Sequence, residues 1–127
     1  MTSRFVLVID DNRGDADLLV EAFAEVAPTA RVVVAPSVAE AVSRSAAGTK
    51  PALIVTDHGL PGMSGDEVLS ALSASPSLRD VPVVILSGSP QAIASAELPI
   101  DDWIVKAPTY AGSLHIAGTL AMKYLAV

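Results

Sequence analysis

Five polar residues stand at or just beyond the ends of short apolar runs in this 127-residue chain: Asp10 and Asp11, Asp57, Ser87 and Lys106. In an open doubly wound α/β sheet, ligands gather beyond the carboxyl ends of the strands. If the runs are strands of one such sheet, three carboxylates, a hydroxyl and an amine converge at one edge. Carboxylates held that close repel, and raise one another's pKa unless a cation sits among them. An all-oxygen cluster suits Mg2+, which keeps several waters and takes one or two carboxylates plus phosphate oxygens. Asp10, Asp11 and Asp57 bring three negative charges, which a divalent cation and Lys106 together neutralise. Metal and amine are then free to absorb the charge of an incoming phosphoryl group, for which a carboxylate is a standard covalent acceptor.

The elements that must position these groups are legible. The apolar runs are Phe5–Ile9, Arg31–Ala35, 52–55, 82–86 and 103–105. They are β-branched and nearly continuous, which suits strands covered on both faces. Between the first two, Leu18, Leu19, Ala22, Phe23 and Val26 recur at helical spacing until Pro28 stops the helix. Ser37 with Glu40, and Ser64 with Glu67, have the spacing of capping boxes, the first opening a helix through residue 47. A last helical pattern runs from about Tyr110 to the end, and residues 87–99 hold a short helix at most. Regular β-α alternation implies a parallel sheet with helices on both faces. The chain reads as one domain over residues 1–127, without repeat, linker or low-complexity segment.

Composition removes several functions. There is no cysteine, hence no disulfide framework, thiolate nucleophile or cysteine-based zinc site. The net charge of −6 and scattered basic residues argue against binding nucleic acid or an anionic membrane. No apolar run approaches the ~18 residues of a membrane span. The N-terminus shows no signal-peptide pattern, and the expected setting is cytoplasmic.

In this order, Asp10-Asp11, Asp57, Ser87 and Lys106 resemble the receiver domain of two-component response regulators. Residues 57–65, Asp-His-Gly-Leu-Pro-Gly-Met-Ser-Gly, also resemble that family's loop after the phosphorylated aspartate. The resemblance implies a flavodoxin-like doubly wound α/β fold with strand order 2-1-3-4-5. It implies Asp57 as phosphoacceptor, taking the phosphoryl group from a partner histidine kinase or phosphotransfer protein. Mg2+ would be held by Asp11, by Asp10 mainly through water, by Asp57, and by the backbone carbonyl of Gly59. Lys106 and the Ser87 hydroxyl would contact phosphoryl oxygens. Ser87 and Trp103, three positions before the lysine, would form the switch pair. The expected protein is a stand-alone receiver with no output domain, a switch rather than a turnover enzyme. Ser89, Leu78-Arg79 and residues 82–84 further resemble regulators paired with bacteriophytochrome-type kinases.

The chain departs from the family at Lys106-Ala107-Pro108, where Lys-Pro with a cis peptide is usual, and Trp103 stands in place of Tyr or Phe. A cis bond before Ala107 would cost ~2.5–4 kcal/mol. His58 is expected to be partly exposed, with its backbone N–H turned to the phosphoryl group. His115 reads as surface, in a polar stripe with Gly112, Thr119 and Lys123. Asp15, Asp17, Glu21 and Glu25 read as a solvated helix face, the first of them favoured by the helix dipole. The last helix is apolar around more than one stripe, which suggests a homodimer surface there. The phosphorylation-dependent surface is expected around residues 90–96, Trp103 and residues 110–125.

Two rival readings follow from the same residues. A scaffold or dimerisation module would keep the fold and leave the acceptor unused. A flavodoxin-like FMN protein or metal-dependent phosphohydrolase would use the same sheet edge. The acids after the first strand disfavour FMN, whose phosphate needs a glycine- and hydroxyl-rich loop.

Overall fold

The computed structural model describes residues 5–45, 50–60, 62–88, 102–106 and 109–125. Continuous β-branched runs form five strands: β1 (Phe5–Ile9), β2 (Arg31–Ala35), β3 (Leu53–Asp57), β4 (Val83–Ser87) and β5 (Asp102–Val105). All pairings are parallel, and the order is β2-β1-β3-β4-β5, as expected. Central β1 and β4 are buried at every residue, which is why their sequences do not alternate. Edge strand β2 is more open, and Arg31 at its start lies over the Phe5 ring, 5.5 Å from the centroid.

Helices α1 (Arg13–Val26), α2 (Val38–Ser45), α3 (Gly65–Ala74) and α4 (Tyr110–Leu120) cover both faces. On one face, Leu19, Ala22 and Phe23 of α1 and Ile116, Ala117 and Leu120 of α4 pack on Val6, Val8, Val55 and Val84. On the other, Val38 and Ala41 of α2 and Val68 and Leu72 of α3 pack on Leu7, Ile9, Ile54 and Ile85. Successive strand residues thus feed opposite cores.

The caps explain the boundaries. Asn12 begins α1 by accepting the Asp15 N–H at 3.0 Å, and the helix ends before Pro28. At α3 the reciprocal capping box forms: Ser64 Oγ accepts from Glu67 N–H at 3.2 Å, and Glu67 accepts from Ser64 N–H at 3.0 Å. At α2 only half of the expected box is made. Ser37 Oγ accepts from Glu40 N–H, while the Glu40 carboxylate pairs with Arg44 at 3.1 Å, one turn on. Helix α2 is described to Ser45, and residues 46–49 lie outside the described residues.

The last helix corrects the expectation of a broad apolar exterior. Ile116, Ala117, Leu120, Ala121 and Leu125 are buried, and Leu114 and Tyr124 pack at the edge of the core. Its final turn widens into π-helical geometry over Ala121–Leu125. Among its large apolar residues Met122 (76% exposed) and Tyr110 (37%) face solvent. His115, Thr119 and Lys123 are exposed, as the polar stripe required. The expected helix between Pro90 and Pro99, Ser89, and the Ala107-Pro108 step all lie outside the described residues.

Ser64→Ala removes the cap that starts α3 after the loop following Asp57. It is expected to lower unfolding free energy by about 1 kcal/mol in denaturant titration, with Ser64→Thr recovering most of that loss.

Candidate functional site

The site is assembled at the carboxyl edge of β1, β3, β4 and β5. Asp57 and Ser87 are the last residues of β3 and β4, one position more deeply set in the sheet than residues that merely follow a strand. Asp10 follows β1, and its N–H donates to Ala35 O at 3.1 Å, extending the β1–β2 ladder. Lys106 follows β5 and is anchored by its N–H to Ser87 O at 2.7 Å. Parallel pairing in register therefore places the groups side by side.

Asp10, Asp11 and Asp57 each offer a carboxylate oxygen within 4.8 Å of the others. That spacing and hard oxygen set fit a Mg2+ ion. Asp10 is buried, Asp57 half-buried and Asp11 exposed, leaving one side of the cluster open to water. Burial raises the Asp10 carboxyl above its ordinary 3.8; the Asn12 N–H (2.9 Å) and Lys106 offset this in part, while the Asp57 charge adds to it.

Lys106 Nζ reaches three carboxylates: Asp15 at 2.6 Å, Asp57 Oδ1 at 3.0 Å and Asp10 at 3.3 Å. Burial alone would depress its pKa, but hydrogen bonds to Asp15 and Asp57 and the charge of Asp10 hold it well above the ordinary amine range. The ammonium is fixed and charged.

Asp15, expected on a solvated helix face, is instead half-buried and makes the shortest contact to Lys106. The available signal was its place in the first turn of α1, one helical turn beyond Asp11 and so aimed at the same edge. With Asp15 counted, four carboxylates share the site. A divalent cation and Lys106 then leave one negative charge in excess, not neutrality.

The expectation for His58 is half right. Its side chain is exposed, but its backbone N–H donates to Leu86 O at 2.9 Å and is committed to the sheet. The imidazole meets Trp103, ring centroids 5.4 Å apart and tilted by 58°. Trp103 is half-buried and Ser87 buried. A Cβ at Gly59 would lie 3.7 Å from Asp57 Oδ2, so Gly59 borders that carboxylate oxygen, while Gly88 stands in open space.

A family profile described as the response regulator receiver domain matches residues 6–112. The chain belongs to this family. The receiver is similar to the phosphorylated cyanobacterial phytochrome response regulator RcpA, at 28% identity and a TM-score of 0.80 over 98% of this chain and 95% of that one. It is similar to the bacteriophytochrome response regulator AtBRR, at 29% identity and a TM-score of 0.73 over 100% of this chain and 95% of that one. It is also 28% identical over 104 residues to the cyclic di-GMP phosphodiesterase response regulator RpfG of Xanthomonas campestris pv. campestris (strain 8004), matching 80% of this chain and 27% of RpfG. The chain spans about a quarter of the length of the curated relatives it matches. No helix among the described residues of the receiver is long and apolar enough to cross a membrane.

The receiver's buried Asp10 charge costs folding energy when no cation is bound. Its raised pKa means the folded state binds that proton more tightly than the unfolded state, so this contribution falls as pH rises through the carboxylate range and is unfavourable at pH 7. In chelator at pH 7, Asp10→Asn is expected to raise Tm by about 3–5 °C, read by thermal unfolding. The Mg2+-dependent rise in Tm of the wild type should shrink or vanish in the variant.

Proposed function

We propose that Asp57 accepts a phosphoryl group from a phosphohistidine on a histidine kinase or phosphotransfer protein, and that the acyl phosphate switches a protein-contact surface. The supporting observation is the Asp57 carboxylate itself. One oxygen is held at 3.0 Å by the Lys106 ammonium, the other borders Gly59, and the carboxylate belongs to a cluster fit for Mg2+. An Asp57 oxygen attacks phosphorus, the P–N bond breaks, and its electron pair remains on the imidazole, which takes up a proton. Lys106 orients Asp57 beforehand and offers an N–H to a phosphoryl oxygen afterwards. Asp10, Asp11, Asp57 and the Gly59 carbonyl are the groups that would hold Mg2+. When bound, the ion would supply positive charge that offsets the charge of the phosphoryl group.

Ser87 and Trp103 form the proposed switch pair. A phosphoryl group on Asp57 draws the Ser87 hydroxyl, and Trp103 moves inward from its place beside His58. The exposed Tyr110 and Met122 belong to the surface proposed for partner or homodimer contact, and output passes through that contact. The protein acts as a switch and not as a turnover enzyme. A kinase of the bacteriophytochrome type is the proposed input, supported by the similarity to RcpA and AtBRR over nearly their whole chains.

Intact-protein mass after treatment with acetyl phosphate tests the chemistry. One Mg2+-dependent, alkali-labile phosphoryl adduct is expected on the wild type and none on Asp57→Asn. Absence of the adduct and of phosphate release, while a working receiver is modified alongside, would favour a scaffold that leaves Asp57 unused. The single Trp103 also reports the switch: its fluorescence should change on phosphorylation, and Ser87→Ala should reduce that change without abolishing the adduct.

A further inference from the structure

Lys106 has three N–H donors, and Asp15, Asp57 and Asp10 each lie within reach of its Nζ. Phosphoryl transfer to Asp57 requires one of those donors to face a phosphoryl oxygen. Asp10 and Asp57 belong to the three-carboxylate cluster and so share their charge with a bound cation. Asp15 does not belong to that cluster, yet it lies closest to the ammonium, at 2.6 Å, and its side chain is 35% exposed. Its partner Lys106 is 19% exposed, so the pair is only partly screened by water.

We infer that Asp15 is a positioning residue that restrains Lys106, favouring the Mg2+-bound resting state and slowing phosphoryl transfer to Asp57. This inference rests on the proposed phosphoacceptor chemistry. Two effects of one carboxylate act together. Its negative charge adds to the cluster's attraction for a divalent cation. The same charge repels an incoming phosphoryl dianion and holds the ammonium toward α1. A carboxylate that served only to hold the fold together would not separate these two quantities in opposite directions.

The test compares wild type, Asp15→Asn, Asp15→Glu and Glu21→Gln, the last an exposed acid on the same helix. Asp15→Asn leaves intact the Asp15 backbone N–H to Asn12 that caps the helix, and thermal unfolding checks that each variant is folded. Mg2+ affinity of the unphosphorylated protein is read by calorimetry with the metal alone. The rate of adduct formation is read by mass with acetyl phosphate at saturating Mg2+, the P–O bond breaking and acetate leaving. In Asp15→Asn, Mg2+ affinity should fall about 3- to 10-fold while the phosphorylation rate rises about 3- to 10-fold. Asp15→Glu should return both toward wild type, and Glu21→Gln should change neither by more than about 2-fold. If Asp15→Asn is phosphorylated at the wild-type rate or more slowly, the inference is overturned and the acceptor reading stands. A wild type that forms no adduct and releases no phosphate overturns both.

Discussion

The Lys106 ammonium is the charge around which this sheet edge is organised. Four carboxylates, from the end of β1, the first turn of α1 and the end of β3, crowd a space from which water is partly excluded. Repulsion among them would push those elements apart or protonate them. At Asp10, burial raises the carboxyl pKa and the nearby Asp57 charge adds to that rise. Lys106 relieves the pressure by touching three of the four, and it does so from β5, the far edge of the sheet. The strand order is therefore a functional constraint. With β5 beside β4, and β4 beside β3, the Lys106 stem reaches the Asp57 carboxylate.

The hydrophobic layers serve the same end. Strands buried on both faces fix the sheet rigidly, because every one-residue slip would exchange the two cores. A rigid sheet fixes the Asp57 and Ser87 positions, as the proposed phosphoryl transfer requires. The caps at Asn12 and Ser64 then start α1 and α3 directly beside the acids. Trp103, on edge strand β5, and the loop of His58 and Gly59 are less buried than the inner strands.

The strands, the helix caps and the cluster of Asp10, Asp11 and Asp57 were legible because each depends on local pattern. Continuous β-branched runs have few alternatives, and the residues at strand ends must meet once the strands are parallel. Side-chain reach was not legible. Asp15 looked like an ordinary first-turn acid, and nothing in its neighbours indicated a lysine ninety-one positions away. Glu40 has the spacing of a capping box, but its carboxylate pairs with Arg44 instead. The apolar last helix suggested an exposed surface because periodicity shows how many residues are apolar and not how deeply they are set. Packing against α1 as well as the sheet consumes most of that surface.

If Lys106 holds the carboxylates together in the absence of a cation, its loss should be felt in stability. In thermal unfolding of Lys106→Met at pH 7, Tm in chelator is expected to fall by at least about 5 °C, with Mg2+ restoring more stability to the variant than it adds to the wild type. An unchanged or higher Tm in chelator, with no added response to Mg2+, would contradict that role.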